Sequence, residues 1–413
     1  MQRRDTLKWL GALPLAGTLG ATSRVLAAPA APAKLLFVFL RGGYDAASLL
    51  VPTSSDFYYE ARPNIAIARP SADKGAGLAL NADWALHPAL QDSVYPLFGA
   101  KQVAFVPFCG TDDLTRSHFE TQDTVELGQG DGTAADGTRL QRDFRSGFMN
   151  RLAAVLGGAE PDGVRPIAFT DQLPRILQGS VEVANVSLRY AGKGGGINER
   201  QSSMIAAMYS GHKLDKQVRE GFETRSEVQR TVANEMAGEM VAANRNAINA
   251  RGFELEARRV AALMREKYAL GFIDVGGWDT HVNQGTGVGY LANRFDELGR
   301  GLATFAREMG PDWNKTVVVV ASEFGRTFRE NGNRGTDHGH GTVFWVLGGG
   351  VKGGIAGEQV AVNASTLFQD RDYPVLNEYR TVLGGLFARM YGLNAAQVGR
   401  VFPGVRGKDL RLV

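Results

Sequence analysis

Short, mostly apolar runs recur along the chain and end on glycine or a polar residue: 35–40 (LLFVFL), 103–108 (VAFVPF), 166–170 (PIAFT), 272–275 (FIDV), 316–322 (TVVVVAS) and 342–348 (TVFWVLG). Runs of this length, apolar at successive positions, predict strands buried on both faces. Between them lie 88–98, 147–156, 293–308 and 379–391, where apolar residues return at three- and four-residue spacing and predict helices. Strand and helix in alternation predict an α/β fold, a mostly parallel sheet with helices on both faces. Such sheets collect chemistry at the carboxyl ends of their strands.

Two stretches depart from this rhythm. From 198 to 267 the chain is rich in Glu, Arg, Ala and Met with almost no strand signal, which predicts a helical insertion. The run 128–138 (GQGDGTAADGT) reads as a surface loop. No internal repeat is present, and residues 34–413 read as a single domain.

The first 27 residues carry paired Arg3 and Arg4, a glycine-diluted apolar stretch and small residues up to Ala27. This pattern predicts an export signal of the twin-arginine type, with the translocation machinery as partner and a periplasmic or otherwise exported destination. The apolar stretch falls short of the roughly 20 residues a membrane span needs, so no stable membrane anchor is expected.

Over its 413 residues the chain has 46 basic and 43 acidic side chains. The leader holds Arg3, Arg4, Lys8 and Arg24 against Asp5 alone, and without it the two signs balance. The apparent basicity therefore gives no support for nucleic-acid binding. A lone cysteine, Cys109, rules out an internal disulfide and a cysteine-built metal site.

Acids and imidazoles cluster where the predicted strands end. Asp45 follows RGGY, Asp279 and His281 stand two apart in GGWDTHVNQ, Glu323 and Arg326 follow TVVVVAS, and Asp337, His338 and His340 lie in GTDHGHG. Oxygen and nitrogen donors drawn from several strand ends are what a divalent ion requires. We read Asp45, Asp279, His281, Glu323, Asp337, His338 and His340 as candidate ligands for one or two ions: zinc, manganese, magnesium or calcium. In SHFETQD, Ser117 is either a nucleophile at a helix start or, with Glu120, half of a capping box. His118 fits a ligand, a base or a partner of the site. Arg326 could clamp an anionic oxygen or pair with an acid. Tyr44, Trp278 and Phe324 could line a pocket or pack the rim of the sheet, while His87 and His212 read as structural and surface residues.

These stretches together resemble the exported domain-of-unknown-function family 1501 (DUF1501), in the alkaline phosphatase and sulfatase-like superfamily. The resemblance is carried by the leader, LRGGYDAASLLVP, LHPAL, SHFETQD, GGWDTHVNQ, SEFGRTFRENGNRGTDHGHG and VLGGGVKGG. It implies an alkaline phosphatase-like three-layer sandwich and a metal-dependent hydrolase acting on phosphate or sulfate esters or a related small anionic substrate. Asp45 is similar to the superfamily's first acid, Ser117 to its nucleophile, and Asp279, His281 and His338 or His340 to the donors of the second ion. Where the superfamily has Asp-His after a late strand this chain has Glu323-Phe324; Asp337-His338 is an alternative source of that pair. The departure leaves a single-ion site or a non-catalytic binding protein as the other reading. Cys109 lacks the Cys-x-Pro-x-Arg pattern of the modified sulfatase cysteine.

Overall fold

The computed structural model describes residues 33–130, 142–157, 163–187, scattered positions from 204 to 218, and 252–413. The leader, His212, the loop residues from 131 on and most of the predicted insertion lie outside the described residues.

In chain order the described elements are β1 (Lys34–Leu40), α1 (Ala46–Leu49), β2 (Leu50–Pro52), α2 (Asp56–Ala61), β3 (Leu78–Ala79), β4 (Trp84–Leu86), α3 (Val94–Gly99), β5 (Val103–Gly110), α4 (His118–Leu127) and α5 (Phe148–Val155). There follow β6 (Pro166–Ala168), β7 (Ala184–Asn185), α6 (Phe253–Glu266), β8 (Leu270–Val275), α7 (Tyr290–Met309), β9 (Thr316–Ser322), β10 (Thr342–Leu347), β11 (Gly354–Ile355), β12 (Asn377–Glu378), α8 (Tyr379–Tyr391) and α9 (Ala395–Val401).

The main sheet runs β11-β5-β10-β9-β1-β8-β6-β7, with β12 also on β5. β1 pairs in parallel with both β8 and β9, and only β10 opposes its neighbours. A small antiparallel sheet, β2-β4-β3, stands apart.

Alternate residues of β1 feed two separate cores, as the pleat requires. Leu36, Val38 and Leu40 join Val260 and Met264 of α6 and Phe295 and Leu302 of α7. Leu35, Phe37 and Phe39 join Phe148 and Leu152 of α5, Phe387 of α8 and Val401 of α9. Helices thus cover both faces, and the expected mostly parallel three-layer architecture is present. Among the described residues no helix is long and apolar enough to cross a membrane.

One predicted helix is divided. The run 88–98 forms a single 3-10 turn at Pro88–Leu90 and then α3 from Val94. Pro96 explains the break: it lacks the N–H that would extend the helix backwards, and it is tolerated only in the first turn of α3.

The reversal of β10 positions the site. Because β10 starts at the edge where β9 ends, the whole connection 323–341 stays on the carboxyl edge of β1, β8 and β9.

Candidate functional site

Four side chains from three segments converge there. Asp279 and His281 follow β8, His118 opens α4, and His338 lies on the β9–β10 connection. Asp279 Oδ1 is 2.8 Å from His281 Nε2 and 3.3 Å from His338 Nε2, while Asp279 Oδ2 is 3.6 Å from His118 Nε2. The two Nε2 atoms of His281 and His338 are 3.2 Å apart. His118, Asp279 and His338 each offer one donor atom within 4.8 Å of the others.

What aims these rings is the other nitrogen. His118 Nδ1 donates to Glu323 Oε1 at 2.8 Å, His281 Nδ1 to Asp337 Oδ1 at 2.9 Å, and His338 Nδ1 to the Arg116 carbonyl at 2.9 Å. A carboxylate or carbonyl can only accept, so Nδ1 of His118 and of His338 is a protonated nitrogen, while both ring nitrogens of His281 face carboxylates, Asp337 and Asp279. His118 Nε2 is buried with no hydrogen-bond partner among the described residues. Histidines that bind metals are held in this way.

The donor separations test the fit. Four ligands about 2.0–2.2 Å from one ion in a tetrahedron stand roughly 3.3–3.6 Å apart. The separations from Asp279 to His338 and to His118, 3.3 and 3.6 Å, fall in that range, while those of His281, 2.8 Å to Asp279 and 3.2 Å to His338, are hydrogen-bond distances. His118, Asp279 and His338 therefore fit a divalent ion, with His281 beside them, and the nitrogen-rich donor set suits transition metals better than magnesium or calcium.

The glycines of RGGYD make this approach possible. A Cβ on Gly42 would lie 2.7 Å from the Asp279 nitrogen, and one on Gly43 would lie 2.4 Å from Cε2 of Phe324. Phe324 in turn packs under His118 and His338, with ring centroids 4.9 and 5.1 Å away. It occupies the position where a second histidine was sought and serves as an apolar floor. Tyr44, Trp278 and Phe324 are all buried, so they pack the interior.

The remaining expected ligands have other partners. Asp45 meets the guanidinium of Arg62 with both oxygens, at 2.5 and 3.0 Å, and also accepts from Gln284 and Ser48. Burial would raise its pKa, but the charge and bonds of Arg62 outweigh burial and hold it below the usual range. Glu323 accepts from His118, Gln122 and the Gly42 amide on Oε1 and from Ser322 on Oε2, which outweighs its burial and keeps it ionised. Glu323 and Asp337 thus orient histidines and stand one shell outside the donors. His340 is buried against Phe368, away from the four donors, and burial lowers its pKa to about 4.

Arg326 does not present a clamp. Nη1 bonds Asp279 Oδ1 at 2.6 Å, Nη2 bonds the Thr336 carbonyl, and Nε reaches Thr336 Oγ1, so its fork is occupied by protein. Burial alone would raise the pKa of Asp279, and the bond and charge of Arg326 lower it instead. For Ser117 the capping box is not formed. Ser117 occupies the N-cap position of α4 without a side-chain cap bond, and Glu120 bonds Arg142.

Several participants were not expected from sequence: Gln122, the Arg116 carbonyl, and Asn331, whose Nδ2 donates to Asp337 Oδ1 at 3.1 Å. Gln122 stands four residues after His118, the spacing that puts both on one face of a helix. Nothing local in the sequence marks the other two.

The family described as "Protein of unknown function (DUF1501)" matches residues 32–402. No curated protein matches the chain. Among solved structures the chain is similar to Ps i-CgsB in complex with k-i-k-neocarrahexaose, with 10% identity and a TM-score of 0.39, covering 92% of this chain and 76% of that one. It is also similar to a mutant of TAB5 alkaline phosphatase with Mg bound, with 13% identity and a TM-score of 0.32, covering 78% of this chain and 94% of that one.

Proposed function

The chain belongs to the DUF1501 family, and on that premise we propose that it is an exported, metal-dependent hydrolase of phosphate or sulfate esters or a related anionic substrate. The observation that carries the reading is the convergence of three Nε2 atoms on Asp279, each with its Nδ1 anchored. Export is supported by the Arg3-Arg4 leader, which precedes the matched residues.

His118, Asp279, His281 and His338 would hold the ion. The chemistry that a divalent ion supplies in such a site is polarisation of an ester oxygen and a lowered pKa for the attacking group. The chain's own residues do the rest. Ser117, next to His118 and not engaged in capping, offers a hydroxyl for attack. With no side-chain cap, the first amides of α4 favour a negatively charged group there. Arg326 steadies Asp279 and offsets part of its charge.

A second reading, a non-catalytic binding protein that keeps an ion, is favoured by one observation: His281 stands beside the other three, and a fourth protein donor would close the set as in structural sites. Against it, the side chains of Asp279 and His281 are 44% and 40% exposed, so one side of the cluster faces solvent.

The experiment is elemental analysis combined with hydrolysis of 4-nitrophenyl phosphate mono- and diesters and the sulfate ester, with zinc or manganese added. We expect one bound ion and turnover of at least one ester in the wild type. Asp279→Asn and His281→Gln should lose both, Ser117→Ala should lose turnover alone, and His340→Gln should keep both. Metal bound without turnover across the panel would favour the second reading, and no bound metal would end both.

A further inference from the structure

We propose that Gln122 is a positioning residue of this metal site, locking the Glu323 carboxylate and through it the direction of the His118 ring. The inference rests on the metal-site reading above.

His118 and Gln122 lie one turn apart on the same face of α4, and both donate to a single oxygen, Glu323 Oε1, at 2.8 and 2.9 Å. The Gly42 amide completes that oxygen at 2.9 Å, and Ser322 Oγ holds Oε2 at 2.9 Å. Two clips from one helix to one buried carboxylate leave α4 no freedom to roll about its axis. With one clip removed, the His118 ring can swing about the other.

The orientation of the amide is imposed as well. Gln122 Oε1 accepts from Arg41 Nη1 at 2.8 Å, and a guanidinium can only donate, so the Gln122 NH2 must face Glu323. Arg41 is itself fixed, with Nε on Asp274 Oδ2 at 2.6 Å and Nη1 on Glu126 Oε1 at 3.0 Å. A directed chain therefore runs from the end of β8 through Arg41, Gln122 and Glu323 to His118, and every donor in it is assigned. Its last member presents the buried Nε2 that has no partner among the described residues.

The test is titration of the full chain with cobalt(II) chloride, followed by calorimetry and by the visible absorption of the bound ion. Gln122 is half-buried, so neutral replacements are accommodated. Gln122→Met removes both the donor and the acceptor, and Gln122→Asn keeps the amide on a stem too short to reach Glu323. Both should weaken cobalt binding about 10- to 100-fold, the usual effect of losing an outer-shell partner, and should alter the absorption bands. Thermal melting of the metal-free variants should stay close to wild type.

Unchanged affinity and bands in either folded variant, with His281→Gln losing the ion, would overturn this role while leaving the metal site standing. A lowered melting temperature with unchanged bands would make Gln122 merely structural and overturn it equally. A wild type that binds no cobalt would overturn the site and this inference together.

Discussion

The sharpest test of which acids serve the ion is Asp45→Asn, because sequence reasoning and structure assign that residue differently. Asp45 and Arg62 are 1% and 0% exposed, and the carboxylate holds the guanidinium at 2.5 and 3.0 Å. The other acceptors of Arg62 are neutral: the carbonyls of Thr327 and Phe328 and the Ser48 hydroxyl. An asparagine keeps the shape but leaves the positive charge buried and uncompensated. Breaking such a pair costs about 3–5 kcal/mol. With an unfolding entropy of about 2.1 cal/mol/K per residue over the roughly 310 described residues, that loss lowers the melting temperature by about 5–8 °C. Calorimetry should show this drop, while elemental analysis should find the metal content of the folded variant equal to wild type. Loss of the ion with little change in melting would refute the reasoning and return Asp45 to the ligand set.

Two further outcomes follow from the packing around the site. His87 is buried, its Nδ1 accepting from the Ala89 amide and its Nε2 donating to the Thr286 carbonyl, both at 3.1 Å, and burial lowers its pKa from 6.5 to about 4. As pH falls the unfolded chain binds this proton first, so the contribution is complete above pH 6.5 and is lost toward pH 4, up to about 3 kcal/mol. Urea unfolding at several pH values should show a shallower decline for His87→Gln, and identical slopes in both proteins would contradict it. Gly43→Ala forces a Cβ to within 2.4 Å of the Phe324 ring at a φ of +61°. It should cost about 2–4 kcal/mol and weaken zinc binding by displacing the floor under His118 and His338, and a wild-type melting curve would refute this.

The fold was legible because its central strands are apolar at successive positions, a pattern that needs cover on both faces. The convergence of Asp279, His281 and His338 was legible for a related reason: they stand beyond strand ends, where an acid beside an imidazole has no packing role. Asp45 satisfies the same rule and still lies outside the cluster, since its partner Arg62 comes from a segment whose sequence announces nothing. His340 differs from His338 only by its place on the connection, and the direction of a ring there depends on the Arg116 carbonyl, a backbone group that no residue type reveals. Phe324 could be read as a missing ligand, but its use as a support under two imidazoles depends on Gly43 leaving room for it.

The division between donors and supports explains why the cluster can exist before an ion arrives. His281 Nε2 lies 2.8 Å from Asp279 Oδ1 and 3.2 Å from His338 Nε2, so these three side chains contact one another at hydrogen-bond distance. Turning any of the three rings would cost its Nδ1 an acceptor, and for His118 and His281 that acceptor is a carboxylate, a bond worth about 1.5–3 kcal/mol. On one side the acceptor Glu323 is itself fixed by bonds to Gly42, Gln122 and Ser322, none of which involves the ion. On the other, Asn331 holds Asp337, and Arg326 holds Asp279 by Oδ1, the oxygen that faces His281 and His338. The rings are thus aimed by the hydrogen bonds behind them, and the binding energy of a cation need not be spent on turning them.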